Sequence, residues 1–272
     1  MPELPEVESV VRDIRPFICG KKICDVEIFL PRLVKTDVDT FCISLVGQSI
    51  KSLERRGKYI LISLGNKKLL VIHLRMTGAL IYLEKGSQKS EPYTRIKFCL
   101  EDGSWLIYAD SRTLGTLHLV DGICELKGLA ELGPEPLALD FSADYLRERL
   151  ARKKGSIKGA LLNQEIIAGL GNIYVDEALF RSGIHPERVA LTLEKKELSL
   201  LHREIQEVIR EALGEGGTTF RDYRNGLGEA GNFQERLKVY GREGKPCAKC
   251  GKALEKIRVV GRGTHFCRYC QK

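Results

Sequence analysis

The sequence opens Met1-Pro2-Glu3-Leu4-Pro5-Glu6-Val7-Glu8, a stretch whose residue types can do covalent chemistry. A small second residue permits removal of Met1, which leaves Pro2 as a free secondary amine. An α-amino group titrates at about 7.7–8.0, so part of it is neutral at neutral pH, whereas a lysine at about 10.4 is almost fully protonated. Glu3 and Glu6 supply two carboxylates beside that amine. An amine next to acids is equipment for nucleophilic attack on a carbonyl-like carbon. At the other end, Cys247, Cys250, Cys267 and Cys270 form two CxxC pairs with sixteen residues between them. In a reducing compartment that spacing reads as a zinc site, with iron of the rubredoxin kind as the alternative metal. Four thiolates leave no open position for water, so the metal is expected to be structural. The other five cysteines, Cys19, Cys24, Cys42, Cys99 and Cys124, are expected as buried free thiols.

The rest of the chain must position these groups. Its 272 residues allow one large domain or two small ones, and 43% hydrophobic content is enough for a core. The net charge is +8, which favours a polyanionic partner, nucleic acid or an anionic membrane surface. From Asn232 to Lys272 eleven Lys and Arg face three Glu, so the electrostatic footprint is expected at the C-terminal end. No apolar run approaches the roughly 18 residues of a spanning helix, and the acidic start has no signal-peptide core. A soluble cytoplasmic protein is expected.

Val7, Val10, Val11 and Ile14 share one face of a helix over residues 6–18. Short β-branched and aromatic runs follow: Tyr59–Leu64, Leu69–Leu74, Arg95–Leu100, Trp105–Tyr108 and Thr116–Val120. Many short strands predict a sandwich. After a linker at Leu132-Gly-Pro-Glu-Pro-Leu137 the chain turns helical. Ser142, Ser156 and Asn172 are candidate N-caps, and residues 194–213 carry a long amphipathic pattern. A glycine-rich stretch, 214–231, is too long for a plain connection. Between the CxxC pairs, Lys256–Val260 and Thr264–Phe266 predict a hairpin turning at residues 260–263.

Together these segments resemble the formamidopyrimidine-DNA glycosylase family nearly end to end. The resemblance runs through the start, Arg55-Arg-Gly-Lys-Tyr59, His73-Leu-Arg-Met-Thr-Gly78 and Glu131-Leu-Gly-Pro-Glu-Pro136. It continues through Ala168-Gly-Leu-Gly-Asn-Ile-Tyr-Val-Asp-Glu177, Tyr240-Gly-Arg242 and Gly261-Arg-Gly-Thr-His-Phe-Cys267. It implies an α+β fold: an N-terminal β-sandwich flanked by helices (1–132), a linker (133–140), a helix–two-turns–helix region (141–231) with a lesion-covering loop at 216–230, and a zinc-finger β-hairpin (232–272). It implies a monomer that excises oxidised purines from damaged double-stranded DNA and then cuts the backbone, with one structural zinc ion and no membrane partner. Pro2 would be the nucleophile, Glu3 the general acid/base, and Lys58 and Arg262 further catalytic residues, with Glu6 in support. His73, Arg112, Asn172 and Tyr240 would contact DNA. Met76, Arg112 and Leu114 would fill the space left by the flipped nucleotide. At the last position the family usually carries phenylalanine; leucine can wedge but has no ring to stack on a base. Thr218 and Tyr223 fall where the lesion would be read. Without the resemblance, Met76 and Leu114 read as core residues. The sister specificity for oxidised pyrimidines, of the endonuclease VIII kind, and a non-catalytic DNA-binding zinc protein are the competing functions.

Overall fold

The first helix, α1 (Leu4–Ile18), sets the frame of the N-terminal part. In the computed structural model, which describes residues 1–220 and 223–272, α1 begins at Leu4, with Pro5 in its first turn. Proline fits there because no intrahelical N–H bond is lost. The elements that follow are β1 (Ile23–Ile28), α2 (Val38–Leu45), β2 (Ile50–Arg56), β3 (Tyr59–Leu64) and β4 (Leu69–His73), then β5 (Gly78–Leu83), β6 (Thr94–Leu100), β7 (Trp105–Asp110), β8 (Thr116–Val120) and the short α3 (Lys127–Ala130). They form two four-stranded sheets, ordered β1-β6-β7-β5 and β2-β3-β4-β8, with every ladder antiparallel.

Alternation makes the sandwich. In β3, Ile60, Ile62 and Leu64 point inward while Tyr59, Leu61 and Ser63 alternate outward. Inward residues of both sheets share one core with Phe41 of α2 and with Val7, Val10, Val11, Ile14 and Ile18 of α1. Burying each of these large apolar side chains contributes roughly 1.5–3 kcal/mol, and that fixes α1 on the sandwich. Residues Glu215–Asn232 belong to the same compact unit as Met1–Ala130. The remaining five cysteines differ from expectation: Cys24 and Cys124 are exposed, and Cys19, Cys42 and Cys99 are only half-buried. Cys24 lies at a bulge in the β1–β6 ladder, which turns it out of the core.

The second unit comprises Glu131–Gly214 and Phe233–Lys272. Its helices are α4 (Ala143–Leu150), α5 (Ile157–Leu162), α6 (Asn172–Ser182) and α7 (Lys195–Gly214). Ser142 and Ser156 cap α4 and α5 by accepting the N–H groups of Tyr145 and Gly159. Asn172 is not a cap: Gly171 holds that position and Asn172 is the first helical residue. The hairpin is β9 (Glu255–Val259) and β10 (Arg262–Phe266). Its turn is only Val260-Gly261, both at positive φ (44° and 76°), so Arg262 starts the strand instead of lying in the turn. Two-residue hairpin turns of this hand match the twist of the strands they join.

Buried acids organise this unit. Lys158 and Asp176 are both fully buried, with Nζ and Oδ1 2.6 Å apart. Asp176 Oδ2 also accepts the His265 N–H at 2.8 Å, which ties β10 to α6. Glu177, equally buried, accepts the N–H groups of Lys238, Val239 and Tyr240 at 2.9–3.0 Å. Removing one partner of a buried ion pair strands the other charge, at a cost of roughly 3–5 kcal/mol. Lys158→Met is therefore expected to lose stability of that order in urea unfolding, and the added Asp176→Asn to recover part of it. Equal stability of Lys158→Met and wild type would contradict this role.

Candidate active site and zinc hairpin

In the first unit, the N-terminal segment is buried: Glu3 is 2% and Glu6 1% exposed. Glu6 Oε2 accepts the Glu3 N–H at 2.7 Å, and its Oε1 accepts the Thr218 N–H at 2.7 Å. One carboxylate thus joins the start of α1 to the segment 215–232. Gly217, at φ +82°, allows this contact, because a Cβ there would lie 2.7 Å from Glu6 Oε1. The Tyr223 hydroxyl lies 3.1 Å from both the Glu6 and the Gly216 carbonyl oxygens. Burial, then the Glu6 carboxylate, pushes the Tyr223 phenol far above its usual range, so it stays a donor. The expected lesion reader spans Thr218–Tyr223; residues 221 and 222 within it lie outside the described residues.

Lys58 sits in the tight turn between β2 and β3 and is 7% exposed. That turn is held by Arg55, whose Nη1 donates to Gly57 O at 3.0 Å and whose Nε meets Glu8 Oε2 at 2.8 Å. Glu8 also pairs with Arg12 at 3.1 Å. Burial raises the Glu8 carboxyl, but the Arg55 and Arg12 guanidiniums outweigh it and hold it below the usual carboxylate range. The sequence pattern singles out neither Arg55 nor Glu8 for this anchoring. A glutamate in a first helical turn reads as a dipole partner until the tertiary contact is seen.

His73 ends β4 and is 7% exposed. Burial, with repulsion from Arg75 and Lys58, lowers its pKa from 6.5 to about 3. Its Nδ1 accepts the Arg75 N–H at 3.0 Å, so the ring is neutral with its proton on Nε2. Met76, Arg112 and Leu114 are exposed, Met76 at 36% and Leu114 at 48%. They are not core residues; short loops after β4 and β7 carry them.

In the second unit, Asn172 Nδ2 donates to Gly263 O at 2.8 Å, so the start of α6 grips the hairpin beside exposed Arg262. The Asn172 Oδ1 is buried with no hydrogen-bond partner among the described residues. Tyr240 packs edge-on against His265, with ring centroids 4.9 Å apart. The sulfurs of Cys247, Cys250, Cys267 and Cys270 all lie within 4.8 Å of one another. Four thiolates at about 2.3 Å from a tetrahedral zinc would stand about 3.8 Å apart. The Cys247–Cys270 and Cys250–Cys267 separations are 3.9 and 3.6 Å, which fits zinc.

A β-sandwich with a buried N-terminal acid pair, a helical region and a four-cysteine hairpin define a zinc-finger protein of α+β fold. Residues 1–117 match the formamidopyrimidine-DNA glycosylase N-terminal domain, 132–224 the H2TH domain of the same enzymes, and 244–272 the zinc finger found in FPG and IleRS. A formamidopyrimidine-DNA glycosylase of Geobacillus kaustophilus is 47% identical over 276 residues, covering 100% of both chains. Two Lactococcus lactis Fpg structures, each 39% identical with a TM-score of 0.92, superpose almost completely. One, with abasic-site DNA, covers 99% of both chains, and the other, with N7-benzyl-Fapy-dG DNA, covers 100%. The chain belongs to the formamidopyrimidine-DNA glycosylase family, and its four cysteines hold one structural zinc ion.

Two expectations follow. Metal release should give one zinc per chain, and Cys267→Ser should lose it and weaken DNA binding by at least about tenfold, since metal binding here is folding energy. Unchanged binding in metal-free protein would contradict the hairpin's role. For His73, the depressed pKa means its stabilising share is present above about pH 6.5 and is lost as the pH falls toward about 3. His73→Asn keeps an acceptor near Nδ1 and cannot be protonated. Its urea-unfolding stability should therefore fall less than that of wild type between pH 7 and pH 5 (on the order of 1 kcal/mol less). Parallel losses would contradict the assignment.

Proposed function

We propose that the protein is a bifunctional DNA glycosylase and abasic-site lyase for oxidised purines, 8-oxoguanine and formamidopyrimidines, in duplex DNA. The observation that carries this reading is the Glu6 carboxylate, which holds the segment carrying Pro2 and Glu3 in a buried, fixed place. A frayed terminus could not deliver an amine to one carbon atom.

The sequence of steps follows from the residues. Removal of Met1 frees the Pro2 nitrogen. Its lone pair attacks C1′ of the flipped nucleotide, the C1′–base bond breaks, and the base leaves with the bonding pair and takes up the proton that the Pro2 nitrogen sheds, which restores the nitrogen lone pair. Glu3 protonates the sugar ring oxygen, the ring opens, and C1′ becomes an iminium carbon bonded to Pro2. That cation draws electrons from C2′, whose proton is lost as the 3′ phosphate leaves. A second elimination expels the 5′ phosphate, and water then releases the sugar fragment from Pro2. Lys58 and Arg262 bind phosphates flanking the reacting sugar and Asn172 supports that grip, while His73 and Tyr240 contact the backbone. Zinc supplies no step here; it fixes the hairpin that presents Arg262. Thr218 and Tyr223 belong to the loop that reads the lesion, where a backbone carbonyl accepting N7–H would select 8-oxoguanine over guanine.

In domain terms, residues 1–132 carry the nucleophile and the acid, 141–231 bind DNA and carry the lesion-covering loop at 216–230, 232–272 add the grip of Arg262, and 133–140 are the linker. The protein acts as a monomer on the bacterial chromosome, in the cytoplasm. Among the described residues no helix is long and apolar enough to cross a membrane.

The test is a duplex with 8-oxoguanine opposite cytosine. Cleavage should leave phosphate on both sides of the gap, and Glu3→Gln should slow excision by at least about 100-fold. Faster excision of thymine glycol than of 8-oxoguanine would move the specificity to pyrimidines.

A further inference from the structure

Asp110 ends β7 with its side chain 1% exposed, and no step above uses it. Its Oδ1 accepts the Thr77 hydroxyl at 2.6 Å and the Arg112 N–H at 3.2 Å. Its Oδ2 accepts the Gly115 N–H at 2.9 Å, with the Tyr108 hydroxyl at 3.4 Å. The donors come from two separate loops, one joining β4 to β5 and one joining β7 to β8. The Thr77 oxygen closes the ring by accepting the Arg112 N–H at 3.1 Å.

Both loops are strained next to their exposed side chains. Arg75, before Met76, has φ 54°, and Thr113, before Leu114, has φ 55°. Such conformations are uncommon outside glycine, and for a β-branched residue they persist only where the surroundings impose them. The space between the loop ends is filled as well. A Cβ on Gly115 would lie 1.6 Å from the Tyr108 hydroxyl oxygen, and one on Gly78 would lie 2.6 Å from the same atom.

We propose that Asp110 is the positioning residue that sets Met76, Arg112 and Leu114 in register, so that side chains from two loops enter the duplex as one wedge. The proposal rests on the glycosylase reading above. A carboxylate only accepts hydrogen bonds, so it can serve the Thr77 hydroxyl of one loop and the Arg112 and Gly115 N–H groups of the other at once. An amide of the same shape cannot. Whichever way an asparagine is turned, its NH2 faces the N–H of Arg112 or that of Gly115. The void left by a flipped nucleotide must be filled in one event, and independently moving loops would fill it in two.

The experiment compares wild type, Asp110→Asn and Thr77→Val, all as full chains, on two substrates. One is duplex DNA with 8-oxoguanine opposite cytosine and 2-aminopurine beside the lesion. The other is a single strand with a preformed abasic site, which has no stack to fill. For Asp110→Asn, the fluorescence rise on flipping and the duplex excision rate should both fall by at least about tenfold, the scale of one stranded buried donor. Single-strand cleavage should stay within about twofold of wild type, because no void forms there. Thr77→Val, which leaves the carboxylate in place, should show the same pattern with a smaller loss. Equal loss on both substrates would overturn the proposal by making Asp110 a general support of the fold. Unchanged flipping fluorescence in both variants would overturn it as well. If wild type cuts the abasic strand but leaves 8-oxoguanine in place, purine excision is the reading that fails, and the flipping signal still decides the role of Asp110.

Discussion

The chemistry proposed for the N-terminal segment depends on one buried carboxylate. Glu6 is almost wholly shielded from water, and an ionised group there is tolerable only if donors meet it. They do: the N–H of Glu3 and the N–H of Thr218 each approach to 2.7 Å. The first bond closes the start of α1 on the residue next to Pro2. The second brings in a segment more than two hundred positions away, so the loop proposed to read the lesion and the acid proposed to donate the proton share a single anchor. The apolar face of α1, sunk in the sandwich core, keeps that anchor from shifting.

The same device recurs at three other segments that present proposed functional side chains, whereas the Lys58 turn is held by Arg55. Asp110 accepts from the loops of Met76 and Leu114. In the other unit, Asp176 accepts from β10 beside Arg262, and Glu177 accepts from the turn that carries Tyr240. A donor bonded to a buried acid cannot be released without stranding both groups, so these segments stay rigid. Rigid presentation matters more here than pocket depth, since the substrate is a duplex whose phosphates must be met at fixed positions.

Much of this was legible in the sequence, for physical reasons. Helical periodicity marks α1 and α7, a short β-branched and aromatic run marks β3, and thiolate spacing marks the zinc hairpin. β2 and β5 lie outside the runs that the sequence predicts; in β2 only Ile50 and Leu53 of its seven residues are buried hydrophobics, the others being polar. The cap of α6 was misplaced by one residue because Gly171 takes the extended conformation that Asn172 was expected to hold. The hairpin turn proved shorter because Val260 adopts a positive φ that β-branched residues rarely accept. Glu6 was visible as a candidate, but its link to Thr218 was not, because no local pattern encodes a contact at that separation. Asp110 and Glu177 carry no sequence signal, because a carboxylate whose partners are hydroxyl and backbone N–H groups leaves no complementary charge to find, and Asp176 carries none because its Lys158 partner lies eighteen positions away.

The central claim is that the fixed N-terminal amine is the nucleophile. Borohydride reduction of the protein during turnover of 8-oxoguanine duplex, followed by mass spectrometry of the trapped peptide, tests it most directly. The account predicts that Met1 is absent and the sugar remnant is bonded to the nitrogen of Pro2. A remnant on Lys58 or another lysine, or excision with Met1 removed and no covalent adduct at all, would contradict it.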